Sequence, residues 1–144
     1  MSTSAIAAAL GAYILFIIVL LILLVVAYWK MFTKAGIAGW KSLIPLYNVY
    51  IAFKIAWKDQ TAFWVWLAAN VVYGLFRDHE DGVSGVITIA AGILALVWWM
   101  RFCIRQAKSY GKGAGTGNAA FFLPNILTLY YGFASSCTYA GPQD

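Results

Sequence analysis

The chain has 144 residues, is 63% hydrophobic and only 10% charged, and carries a net charge of +5. Soluble domains average about 25% charged residues, so this composition, with a mean hydropathy of +0.78, points away from a soluble class and predicts one transmembrane domain over 1–144. Nine of the ten basic residues fall in Lys30–Lys58 and Arg101–Lys112, between long uncharged runs; this is a positive-inside pattern, with anionic lipid of the cytoplasmic leaflet as the expected partner and nucleic acid excluded.

Residues 5–29 carry no charge. As a helix they reach about 37 Å, enough to cross a bilayer with some tilt. No basic residue precedes the run, and Lys30 and Lys34 follow it. That predicts a permanent anchor with the N-terminus outside. Ala7, Ala8, Gly11 and Ala12 form a small-residue pattern that lets helices approach closely.

The stretch from Lys30 to Lys58 holds five lysines around an apolar core from Ser42 to Phe53, interrupted by Pro45 and Asn48. It is too short to cross, so residues 39–58 are expected to form an interfacial or re-entrant helix. Lys30, Lys34, Lys41, Lys54 and Lys58 would reach lipid phosphates while Trp40 and Trp57 sit at headgroup depth.

A second crossing is expected over 60–76, with Asn70 near its middle, and a third over 82–100, where Gly85 and Gly92 offer close-packing faces. Between them lies the net acidic loop Arg77–Asp81, expected outside; Arg101 and Arg105 anchor the other end of the third run. A glycine-rich basic linker leads to a fourth expected crossing over 119–136, broken at Pro124 and Asn125. The predicted fold is therefore all-α: an integral membrane four-helix bundle with one additional cytoplasmic helix, both termini outside, multi-pass in the cytoplasmic membrane. Cys103 and Cys137 would then lie on opposite faces.

The expected crossings contain no ionisable group in their interiors. Proton relays and ion-coupled carriers need such groups. Asn70 and Asn125 are expected to be buried, as interhelical hydrogen-bonding residues or as pore contacts. The sequence 78–81 (Asp-His-Glu-Asp) is a poor metal site, because consecutive loop residues rarely converge on one ion. The run Gly111–Gly117 lacks the Gly-Lys-Ser/Thr order and the strand–helix setting of a phosphate loop. Lys41 and Ser42 are adjacent, so they do not face each other on a helix. No cofactor is expected.

The pattern Lys34-Ala-Gly, Gly39-Trp, Ile44-Pro, Tyr47-Asn resembles that of a bacterial family of small multi-pass membrane proteins of unknown function. Tyr110-Gly-Lys112, Gly132-Phe133 and Tyr139-Ala-Gly-Pro142 extend the resemblance over roughly 10–142. Some members are labelled signal-peptidase-like, yet the residues that such chemistry needs are missing here. The resemblance implies the topology and no mechanism. The expected role is a non-catalytic membrane subunit that stabilises a larger assembly with other subunits or itself; the alternative is a small channel or transporter for a neutral or lipid-like solute.

Overall fold

In a computed structural model, which describes residues 2–144, the chain is all-helical. Helix α1 runs Thr3–Lys34, followed by a short 3₁₀ turn, Gly39–Leu43. Then come α2 (Tyr47–Ala56), α3 (Ala62–Phe76), α4 (Gly82–Ser109), α5 (Ala114–Phe122) and α6 (Pro124–Phe133). Two helices, α1 and α4, are long and apolar enough to cross a membrane, and α3 is a shorter apolar helix. This supports a membrane protein.

One end of the molecule, where the basic residues gather, holds the core. There Met31, Phe32, Phe53, Ala56, Trp57, Phe102, Ala107, Tyr110, Tyr131 and Cys137 are all buried in one cluster. Away from that end the molecule thins to the α3–α4 hairpin and the free part of α1. Asp81 caps the start of α4: its carboxylate accepts from the Ser84 amide at 2.9 Å and from the Ser84 hydroxyl at 2.6 Å.

The long helices α1 and α4 end alike. Gly36 (φ 75°) and Gly111 (φ 77°) adopt the left-handed conformation just past the last turn. The next residue then donates back into the helix, Ile37 N to Phe32 O at 2.9 Å and Lys112 N to Ala107 O at 2.8 Å. That is a glycine C-cap, which satisfies orphaned carbonyls and reverses the chain. After each cap comes a short helical piece, a proline and a ten-residue helix, α2 or α6. The sequence shows no repeat, yet the fold uses one plan twice.

The expected fourth crossing is not one continuous helix. Residues 119–136 hold parts of two helices that turn back on each other at Leu123–Pro124. At nine and ten residues they reach about 13 and 15 Å, half a hydrocarbon core. Proline at the first position of α6 lacks the amide that would continue α5, and it restrains Leu123 before it. α5 runs down α4 with Gly117 against Ile104, and α6 returns along α1 with Gly132 against Ala27.

Three expectations change with this reversal. The four-helix bundle is replaced by α1, an α3–α4 hairpin and a pair of short hairpins; α1 packs on α6 and the 3₁₀ turn and makes no extensive contact with α3 or α4. The segment after α6 lies at the basic end, opposite the start of α1, so the two ends do not share a side. Cys103 and Cys137 belong to one buried cluster instead of opposite faces.

The 39–58 segment also departs from a surface helix. In α2, Ile51, Ala52, Phe53, Ile55 and Ala56 are buried, and Lys54 is the exposed residue of the last two turns. The turn into α2 is tight: Tyr47 N donates to Pro45 O at 2.7 Å, with Leu46 at φ 64° and ψ −45°. A classic γ-turn on a non-glycine residue is rare and strained. It aims α2 back toward the basic end.

Candidate functional site

Two features stand out at the basic end. The first is a layer of aromatic rings and cations. Phe53 stacks on Phe102 with centroids 4.3 Å apart. Trp57 and Trp98 stack at 6.3 Å. The Arg105 guanidinium lies 3.9 Å from the Trp57 ring, and Arg101 lies 5.2 Å from Trp57 and 5.0 Å from Trp98. Such cation–π contacts each contribute about 0.5–2 kcal/mol, more as water is excluded. Arg101 and Arg105 are one turn apart on α4 and therefore share a face.

The residues after α6 strap this layer down. Gln143 N donates to Ala56 O at 2.9 Å and Lys58 N donates to Gln143 O at 2.8 Å. Ala140 N donates to Ser109 O at 2.6 Å, and the Arg105 Nε donates to the Asp144 carbonyl at 2.8 Å. The Lys58–Asp144 ion pair at 3.0 Å is exposed, so its net worth is about 0–1 kcal/mol. Tyr139 donates to Ile55 O, and Tyr110 Oη donates to Met31 O at 2.7 Å. Burial pushes the Tyr110, Tyr131 and Tyr139 hydroxyls above the ordinary phenol range. All three therefore stay protonated at neutral pH.

The second feature is a partly open cavity of about 110 Å³ between the two short hairpins. Tyr28 comes from α1, Asn48, Val49 and Ala52 from α2, and Trp99, Phe102, Cys103 and Gln106 from α4; Ala120, Pro124 and Thr128 close it. The four α4 residues follow an i, i+3, i+4, i+7 spacing, so they form one face. Arg101 and Arg105 occupy another. Asn48 donates through Nδ2 to Ser42 O at 3.2 Å, and the Thr128 hydroxyl donates to Pro124 O at 2.8 Å. Gln106 is 8% exposed, and its amide makes no side-chain hydrogen bond among the described residues. The fully enclosed side-chain atoms without a partner are Thr88 Oγ1, Trp98 Nε1 and Tyr131 Oη among the described residues, so the Gln106 amide keeps its access through the cavity.

The residues singled out from sequence divide clearly. Trp57, Arg101 and Arg105 meet in the aromatic–cation layer, and Lys58 pairs with Asp144 of the strap. Lys34 turns inward: its ammonium donates to Tyr131 O at 2.6 Å and Ala134 O at 2.9 Å, capping the end of α6. Cations favour helix C-termini, where carbonyls lack partners. Lys30 lies 4.7 Å over the Phe133 ring and Lys41 lies 5.9 Å from the Trp40 ring, with Trp40 and Lys54 exposed.

Trp57, expected at headgroup depth, is buried, because the strap covers it. Asn70 and Asn125, expected to be buried, are both exposed. Asn70 donates to Trp66 O one turn back at 2.8 Å on its own helix. Asn125 follows Pro124 in the first turn of α6. Neither lines the cavity. Gly11 and Gly85 face open space, and a Cβ on Gly92 would stand 3.4 Å from the Tyr73 ring.

Sequence reasoning passed over Gln106 and Thr128. Gln106 hides inside a basic run, and its face becomes visible only when α4 is extended unbroken through Ser109. Thr128 lay inside a run read as a crossing.

A family model described as "Family of unknown function (DUF5684)" matches residues 40–142, and the chain belongs to this family. The matched region starts after α1 and holds every cavity residue except Tyr28. No curated protein and no solved structure matches the chain.

Proposed function

We propose that the chain is a multi-pass protein of the cytoplasmic membrane that acts as a non-catalytic subunit, packing into and stabilising a larger membrane assembly. The free part of α1 carries this reading. None of residues 3–26 is buried within the chain. Ile17, Leu20 and Leu24 are half-buried and continue the stripe of buried Ala27 and Met31, so this face leans toward the chain's own body. Gly11 and Ile18 lie on the other side, and Gly11 has no neighbour within 4 Å. A small-residue face that meets nothing in its own chain supports a helix partner in the bilayer. α1 also lies outside the region shared with the family.

The polar groups support a non-catalytic role. The cavity contains one thiol and no base. His79 sits in the exposed loop at the far end. Ser42 donates its hydroxyl to Gly39 O at 2.7 Å, and Lys41 lies near Trp40.

The test is purification of the native protein in mild detergent, with mass determination and identification of what accompanies it. A larger complex of fixed stoichiometry is expected. Gly11→Leu, which has room in the free chain, is expected to break that complex while the subunit stays folded. Recovery of the wild type as a bare monomer would overturn the subunit role.

One observation favours the second reading, a channel or carrier for a neutral or lipid-like solute: the mainly apolar cavity with Asn48, Gln106 and Thr128 in its lining. Its α4 contribution stops at Trp99, and α3 contributes nothing, so it serves only the basic end. Liposome flux that falls in Asn48→Leu, which removes a cavity-lining amide, would favour this second reading over the subunit role.

A further inference from the structure

We propose that the cavity between the two short hairpins is a binding site for a small, neutral molecule bearing an amide-type donor–acceptor pair. Three observations converge on it. The lining has no Asp, Glu, Lys, Arg or His, so nothing compensates a charged guest taken out of water. Gln106 is 8% exposed as a residue, lines the cavity and has no protein partner for its amide, whose atoms stay accessible through the cavity. An amide that has no protein partner and opens onto a cavity offers its donor and its acceptor to whatever occupies that cavity, a ligand or water. The Thr128 hydroxyl spends its hydrogen on Pro124 O and Asn48 spends one amide hydrogen on Ser42 O, which leaves the Thr128 oxygen and the Asn48 Oδ1 as free acceptors among the cavity-lining residues.

The shape agrees with the chemistry. Trp99 and Phe102 supply flat apolar surface, and Val49, Ala52 and Ala120 are small. At about 110 Å³, the space is somewhat smaller than a ~150 Å³ cavity that accepts benzene. The guest is therefore a compact one, a carboxamide or lactam or the head of a longer molecule that leaves through the open side. A planar carboxamide pairs with Gln106 through two antiparallel hydrogen bonds, its N–H donating to the Gln106 Oε1 and its carbonyl accepting from Nε2. The remaining N–H faces the acceptors on Asn48 and Thr128.

This site is independent of the partner role assigned to α1. Its lining lies at the basic end, whereas the free face of α1 is at residues 3–26.

The test uses the full chain in lipid nanodiscs and 2,2,2-trifluoroacetamide as the probe, followed by fluorine NMR. Trifluoroacetate serves as the charged counterpart. Saturable broadening is expected for the amide and none for the carboxylate. Gln106→Met keeps the volume and removes both hydrogen-bonding functions; binding is expected to weaken about tenfold, the equivalent of roughly one net hydrogen bond. Thr128→Val is expected to weaken it severalfold, and Asn70→Leu to leave it unchanged. Thermal unfolding of each variant separates lost binding from lost folding, and Thr128→Val decides should Gln106→Met not fold. Absence of saturable broadening in the wild type would mean that water alone meets these groups and would overturn the proposal. Unchanged binding in folded Gln106→Met would overturn it equally.

Discussion

At the scale of single residues, glycines separate into those that are crossed closely and those that face open space. A Cβ on Gly132 would stand 2.6 Å from Ala27 O and 2.7 Å from Ala27 Cα, and one on Gly117 would meet the Ile104 backbone. These are backbone obstacles, which move only if helices separate. Gly132→Ala is expected to lower stability by about 1–3 kcal/mol, the usual cost of overpacking. Gly11→Ala and Gly85→Ala are expected to stay within about 0.5 kcal/mol, with thermal unfolding in nanodiscs as the measure for all three. Lys34→Met removes two charge-assisted bonds to the end of α6. A loss of about 1.5–3 kcal/mol is expected for one such bond, seen as faster amide exchange through α6. Composition shows that small residues are abundant; it does not show which ones meet a backbone, because that depends on where a second helix crosses.

At the scale of elements, the runs at 5–29 and 82–100 lie within α1 and α4. Apolar length and flanking charge are local properties, so both were legible. The reversal at Leu123–Pro124 was not. A proline in an apolar run fits a kinked crossing and a hairpin equally well, and the choice rests on distant contacts: Lys34 on the α6 carbonyls and Gly132 on Ala27. Single cysteines at Gly113 and Ser136, both exposed, in a background lacking Cys103 and Cys137, are expected to react with an impermeant maleimide from the same side of the bilayer. Labelling from opposite sides would restore a full crossing. The start of α4 makes a separate prediction. Hydrogen bonds from the Ser84 hydroxyl and then the Ser84 amide hold the Asp81 carboxyl below its ordinary value. A group whose acidity rises on folding stabilises the folded state above its unfolded pKa, about 3.9, and that support disappears as pH falls through the lower folded value. Protection of the Ser84 amide is therefore expected to fall below about pH 4, and in Asp81→Asn the pH dependence is expected to flatten.

At the scale of the whole molecule, the basic end is a packed body and the rest is sparse. Two glycine-capped long helices each feed a proline-tipped hairpin into that body, and the strap closes it beneath Trp57. The candidate cavity was illegible in the sequence because its lining comes from five elements, and only the α4 quartet has a recognisable spacing. The free face of α1 was partly legible: Ala7, Ala8, Gly11 and Ala12 mark a packing face, while the absence of any partner for it within the chain required the fold. Helices in lipid gain little from hiding apolar surface, so close small-residue packing decides association. The most direct test of the subunit role is photo-crosslinking in native membranes, with a benzophenone residue placed at Gly11, Ile18 or Ile22 on one side of α1 and at Tyr13 on the other. The predicted result is a protein adduct of constant mass from the first three positions and none from Tyr13. Adducts to lipid alone at all four positions would contradict it.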